Sequence, residues 1–130
     1  MDQEAFGVTT LRRSTAPRNG ARWRYAVQAT LVDEAARDRY IEWLLDGHVD
    51  EVCHWALGAE VVIIQRNETS DPVRALSIYW FESPEHFAKY EAEGAPSLRA
   101  EGIALAERLG GIQFQRELGW AWPIGQEMNE

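Results

Sequence analysis

The order in which strand and helix patterns follow one another is the feature that most constrains the fold of this chain. Three segments alternate apolar with other side chains and a fourth has four β-branched residues in a row, which is typical of β-strands. These segments are Trp23–Val32, Ala59–Arg66, Val73–Glu82 and Ile112–Leu118. Apolar residues at helical spacing follow the first and the third of them. The chain therefore predicts the element order β-α-β-β-α-β.

Helix boundary signals lie where this order requires them. Asp33 is a good N-cap for the first helical segment, which Asp46-Gly47 interrupts. Ser83-Pro84-Glu85 combines a cap, a proline at the first helical position and an acid near the positive end of the helix dipole. Gly110-Gly111 ends that second segment. The predicted class is α+β, with a four-stranded antiparallel sheet in the ferredoxin-like arrangement.

Length and local composition predict a single domain. The 130 residues suit one hydrophobic core. Residues 1–21 show no hydrophobic period and contain helix and strand breakers, so we predict a flexible N-terminal tail that is dispensable for folding. The predicted domain spans residues 22–122, and residues 123–130 form a polar C-terminal tail.

Two strands are apolar on both faces, which predicts a cover for the sheet face that no helix occupies. Val61–Ile64 places apolar residues on both sides of its strand, and the Val73–Glu82 strand is largely apolar on both sides. A second copy is the economical cover, with two sheets packed face to face into a dimeric barrel. Ser77, Tyr79 and Gln28 are then expected to line a cavity.

Charge and composition exclude several classes of partner. The formal net charge is −8 and Lys89 is the single lysine, so nucleic-acid binding is not expected. No apolar run is long enough to span a bilayer, and no membrane partner is expected. Cys53 is the only cysteine, which fits a reducing compartment, and the predicted location is cytoplasmic.

Three segments carry a resemblance to a known group of proteins. They are YIEWLLDGHVDEV (Tyr40–Val52), YWFESPEHFAKYEAEGAPSLRAEG (Tyr79–Gly102) and GIQFQREL (Gly111–Leu118). From Tyr25 to Trp122 the chain resembles the dimeric α-β barrel superfamily, and within it a bacterial family of unknown function. The superfamily includes antibiotic-biosynthesis monooxygenases, haem-degrading monooxygenases, and stress-responsive barrel proteins with polyketide cyclases. The resemblance implies a homodimer with a barrel pocket, but no particular activity or haem site.

His48 is the candidate catalytic residue, because it follows the helix interruption and precedes two acids. A neutral imidazole near carboxylates can act as a general acid or base, and its protonation would alter binding between about pH 5 and 8. The alternative is a histidine that ends a helix and packs. His48 and Glu51 share a helix face, but a metal site needs more ligands than that pair, and none is predicted. Cys53 beside His54 is interpreted as a small buried thiol, since adjacent helical residues diverge.

Aromatic residues supply the predicted ligand pocket. Its members are Trp43, Trp55, Tyr79 and Trp80, with Gln28 as a polar group. Arg99, at the start of a helix, is interpreted as a surface charge or dimer ion pair, with anion binding as the alternative. The sequence has no phosphate loop or nucleotide motif, so no cofactor is predicted.

Three functions follow from these patterns. The first is a homodimeric barrel that binds a small apolar or aromatic molecule without a cofactor. The second is a cofactor-independent monooxygenase or polyketide cyclase that uses His48 as its base. The third is a structural or interaction protein whose barrel interior is filled by side chains. A cavity inside each barrel half, with His48 pointing into it, would separate the first two from the third.

Overall fold

The described strands form one antiparallel sheet, and the helices pack on one face of it. The computed structural model describes residues 8–13, 21–55, 62–67 and 72–122. The strands are β1 Val8–Arg13, β2 Arg22–Leu31, β3 Val62–Asn67, β4 Val73–Phe81 and β5 Ile112–Ala121. Their order across the sheet is β1-β3-β4-β2-β5, and each neighbouring pair is antiparallel. The last four strands have the order expected of a ferredoxin-like fold.

The sheet has five strands, whereas the sequence predicted four. Val8–Arg13 lies inside the predicted tail, yet its backbone pairs with β3 from Val8↔Asn67 to Arg13↔Ile63, with a shift of register between Thr10 and Arg12. An unpaired edge exposes a row of N–H and C=O groups, and β1 covers that edge of β3. A six-residue edge strand shows too little alternation to stand out in a sequence. Residues 1–7, 14–20 and 123–130 of the predicted tails lie outside the described residues.

Each of the two helical segments is interrupted once, the first by a kink at Asp46-Gly47 and the second by a π-type turn. The first comprises α1 Glu34–Trp43, the turn Leu44–His48 and α2 Val49–Trp55; the second comprises α3 Pro84–Lys89, the turn Tyr90–Gly94 and α4 Ala95–Arg108. The predicted caps form, because the side chain of Asp33 accepts a hydrogen bond from Ala36 N (2.8 Å) and that of Ser83 from His86 N (3.2 Å). Gly47 has φ +109°, a left-handed conformation that glycine adopts without strain, and this allows the first segment to change direction.

The core lies between the helices and one face of the sheet. On β4, alternate residues from Val73 to Phe81 are buried, and Tyr25, Ala29 and Leu31 of β2 lie beside them. Aromatic rings fill much of this layer, including Phe81, Phe87 and Tyr90. Residues of both helical segments therefore pack against the same face of the sheet.

No described helix covers the opposite face of the sheet. Its β4 side consists of Arg74, Leu76, Ile78 and Trp80, which are half-buried. Its β2–β5 side is polar, with ion pairs from Arg22 to Glu82 (2.8 Å) and from Arg24 to Glu117 (3.1 Å). The open face is thus apolar along one strand and charged at the other edge.

Candidate functional site

A cavity of about 180 Å³ lies between the helices and the β2–β5 side of the sheet. Its wall is mostly apolar and aromatic and consists of Tyr25, Val27, Tyr40, Trp43, His48, Tyr90, Leu98, Arg99, Gly102, Ile103, Phe114 and Arg116. The helices do not reach across β5, and Phe114 therefore remains 43% exposed at the entrance. A cavity of roughly 150 Å³ with apolar walls admits a benzene ring, so one substituted ring fits here.

A smaller chamber of about 30 Å³ adjoins this cavity on its inner side. The two spaces share Tyr25, Val27, Tyr40, His48 and Tyr90 as wall residues. The inner chamber is closed by Leu44, Val52, Ser77 and Tyr79. A water molecule needs roughly 10–15 Å³ of such volume, so the chamber accommodates a small polar group and excludes a ring.

All four tyrosines of the chain surround these two spaces. Tyr25 and Tyr79 stack with ring centroids 5.9 Å apart, and the ring centroids of Tyr25 and Tyr90 lie 6.1 Å apart. Burial raises the pKa of Tyr25, Tyr40, Tyr79 and Tyr90. The phenols therefore stay protonated at neutral pH and present O–H groups rather than charges.

His48 lies at the junction of the two spaces, stacked on Trp43 with ring centroids 4.0 Å apart and planes inclined by 26°. The turn at Gly47 directs it there from the point where α1 gives way to α2. Burial lowers the pKa of His48 to about 4, because desolvation disfavours the charged imidazolium. The ring is neutral at pH 7, and the expected transition between pH 5 and 8 moves to more acidic pH.

Among the described residues, two polar atoms of the residues that line the inner chamber find no hydrogen-bond partner. They are Nδ1 of His48 and Oγ of Ser77, both of them buried. The Tyr40 hydroxyl lies near Ser77 and is influenced by it, but the two do not adopt hydrogen-bonding geometry. Buried polar groups are nearly always paired, so this pair of atoms marks a place where a ligand or a water is expected.

Two arginines lie at the outer end of the cavity. Arg99 pairs with Glu91 through Nη2 and Oε1, and this hydrogen bond raises the pKa of Arg99. Its ion pair is therefore formed within the chain. Arg116 projects from the exposed strand β5, and its positive charge partly offsets the rise that burial causes in the pKa of Tyr25 and Tyr90. With one carboxylate paired to one of the two guanidinium groups, the mouth carries one net positive charge.

The structure brings together three of the residues that the sequence singled out. Trp43, His48 and Tyr79 all line the two connected spaces. Trp80 and Gln28 do not, because neighbouring residues on a strand point to opposite faces. Both lie on the open face, where the amide of Gln28 approaches that of Gln115 at 3.4 Å.

Trp55 is also separate from the cavity. It packs on the turn before α4, where a Cβ added at Gly94 would lie 2.3 Å from the indole Nε1. There it lines a different surface groove together with Glu51, His54 and Glu93. Cys53, which precedes His54 in the sequence, packs partly buried against the core.

Sequence reasoning assigned no role in a ligand site to Tyr25, Tyr40, Tyr90 and Arg116. The available signal was that all four tyrosines fall among the apolar residues of their strand or helix, where phenylalanine would pack without a hydroxyl to satisfy. Arg116 offered a weaker signal, since it falls on the helix-facing side of β5 between Phe114 and Leu118.

Within the described ranges, no group of three or more histidine, cysteine or acidic side chains is placed to hold a metal ion. In the same ranges, no helix has the length and apolar character needed to cross a membrane.

Comparison with known proteins shows the fold. Neither the protein-family models nor the curated proteins gave a match. A solved dimeric ferredoxin-like protein from an uncultured marine organism is similar, with a TM-score of 0.62 and 11% identity over 78% of this chain and 96% of that one. Another dimeric ferredoxin-like protein from an uncultured marine organism has a TM-score of 0.50 and 14% identity over 77% of this chain and 89% of that one. The ferredoxin-like architecture is therefore shown.

Proposed function

We propose that this protein is a homodimer that binds one small aromatic molecule per protomer, without a cofactor, in the cavity beside His48. The observation that carries the proposal is the cavity of about 180 Å³ walled by Trp43 and three tyrosines. Ligand sites are typically apolar hollows with a few placed polar groups. This cavity is smaller than drug-sized sites of roughly 300 Å³ or more, which limits the ligand to a single ring or a molecule of that size.

The dimeric part of the proposal rests on the open face of the sheet. Leu76, Ile78 and Trp80 form an apolar row along β4 that no described helix covers. Both similar solved structures are described as dimeric proteins. A face-to-face pair of sheets would bury the row, with the charged β2–β5 side at its margin.

A catalytic role for His48 is the second candidate, as the base of a cofactor-independent monooxygenase or cyclase. In its favour, the imidazole lines the cavity and its Nδ1 has no partner. Against it, a pKa of about 4 makes the ring a weak base, whereas efficient general bases have a pKa near the working pH. Binding is therefore the better-supported function. The cavity lies between the helices and the sheet, outside the interior of a face-to-face barrel, so it does not bear on the structural alternative of a barrel filled by side chains.

Tryptophan fluorescence tests the binding proposal. A panel of benzene derivatives is titrated into the full chain, into Trp43→Phe and into the matched control Trp55→Phe, whose indole lies in another groove. We expect saturable quenching in the wild type and in the control, and loss of most of that signal in Trp43→Phe. A panel that gives no saturable change, by fluorescence or by calorimetry, would remove the proposed function.

A further inference from the structure

The inner chamber is lined by four tyrosines, yet two buried polar atoms of its wall residues have no hydrogen-bond partner among the described residues. Ser77 Oγ is on a residue only 1% exposed, and Nδ1 of His48, another residue of the chamber wall, is also buried. A hydroxyl both donates and accepts hydrogen bonds, so one oxygen can serve a serine hydroxyl and an imidazole nitrogen together. The chamber volume of about 30 Å³ suits such a group.

The middle of the site has the opposite character. Val27, Tyr40 and Trp43 enclose the outer cavity with apolar and aromatic surface. Trp43 already stacks on His48, so flat surfaces line the approach to the chamber. A planar ring would contact these walls on both faces and direct its inner substituent toward His48 and Ser77.

The mouth favours a negative group. Arg99 and Arg116 lie on its wall, and Glu91 offsets only one of the two positive charges. Guanidinium groups bind carboxylates through paired N–H donors. The three zones therefore follow one another from cationic to apolar to neutral hydrogen-bonding.

We infer that the ligand is a single-ring aromatic acid that carries a hydroxyl on the far side of the ring from its carboxylate. The carboxylate lies at Arg99 and Arg116, the ring against Trp43, and the hydroxyl enters the chamber between His48 Nδ1 and Ser77 Oγ. This assignment rests on the proposed function and gives it a substrate class.

The probes are toluene, phenol, benzoate and 4-hydroxybenzoate, with binding to the full chain measured by calorimetry at neutral pH. Each added polar group should raise affinity about tenfold, which is what one net hydrogen bond contributes. Hence 4-hydroxybenzoate should bind about tenfold more tightly than either benzoate or phenol.

Two variants assign each gain to one end of the site. Ser77→Ala should remove the advantage of 4-hydroxybenzoate over benzoate and leave its advantage over phenol, whereas Arg116→Gln should do the reverse. Ser97→Ala and Arg108→Gln are matched controls, since neither residue lines the cavity, and both should bind like the wild type. Circular dichroism confirms that each variant is folded.

The outcomes separate the inference from the proposed function. Equal affinity for all four probes would overturn the inference and would mean that water, not a ligand hydroxyl, occupies the chamber. The binding function would still stand. An advantage that survives both Ser77→Ala and Arg116→Gln would overturn it as well. If none of the four probes binds to the wild type, the proposed function fails and the inference fails with it.

Discussion

Acid should destabilise this protein through His48, because the folded state resists protonation of that ring. Burial lowers the pKa of His48 from 6.5 to about 4. Above about pH 6.5 the ring is neutral in both the folded and the unfolded chain. As the pH falls below that value, the unfolded chain takes up a proton that the folded protein excludes, so stability decreases until about pH 4.

The size of this effect follows from the shift in pKa. At about 1.4 kcal/mol per unit, the loss between about pH 7.5 and about pH 5 is about 2 kcal/mol. His48 is only partly enclosed, and solvent screening reduces the expected loss to about 1–2 kcal/mol. Domains are typically stable by roughly 5–15 kcal/mol, so this loss is a substantial part of the total stability.

The assay is urea denaturation of the wild type and of His48→Gln at both pH values and at one protein concentration. Carboxylates titrate in the same range in both proteins, so the quantity of interest is the difference between their pH dependences. We expect His48→Gln to lose about 1–2 kcal/mol less than the wild type on acidification. His54→Gln, which changes an exposed ring, should retain the wild-type dependence. Parallel pH profiles for the wild type and His48→Gln would refute the reasoning.

Four further outcomes are expected. Deleting residues 1–13 removes β1 and uncovers the edge of β3, so the free energy of unfolding should fall by about 1–3 kcal/mol and light scattering should show association; an unchanged urea midpoint would instead support the predicted dispensable tail. Ser77→Ala removes a hydroxyl without a partner, so in the absence of ligand the urea midpoint should stay within about 1 kcal/mol of the wild type or rise, and a loss above that range would mean that the hydroxyl is satisfied. Gly94→Ala places a Cβ against the Trp55 indole and should cost about 1–3 kcal/mol by the same measurement, whereas an unaltered midpoint would show that the indole moves aside freely. Ile78→Asp puts a charge on the apolar row of the open face, and sedimentation should detect monomers where the wild type is dimeric; a wild type that sediments as a monomer would contradict the proposed assembly.

The positions of the helices and strands were largely predictable because their signals are local. Asp33 and Ser83 form the predicted caps. An N-cap hydrogen bond joins a side-chain oxygen to an amide only three residues away, so it does not depend on distant parts of the chain. The interruption at Gly47 was equally predictable from the sequence, because few residues other than glycine adopt its backbone conformation. Strand β1 was missed because its pairing with β3 joins segments about fifty residues apart.

The candidate site was only partly predictable. The sequence predicts His48 and Trp43 in one pocket, and their rings do stack, since the two residues are close in sequence and the turn between them brings the rings together. Trp80 was placed beside Tyr79, although alternation along β4 sends the two side chains to opposite faces. Arg116 was not considered, because its distance from the tyrosines depends on β5 pairing with β2.

The sequence by itself determined the α+β class, the order of elements and the inward-facing set of residues, because periodicity and capping act over a few residues. Tertiary structure alone decided which inward residues leave a space between them. A cavity is the volume that packing fails to fill, and it depends on side chains from β2, α1, α4 and β5 at once. The lowered pKa of His48 also depends on tertiary structure. It results from desolvation, and several elements must pack around the ring together to exclude water from it.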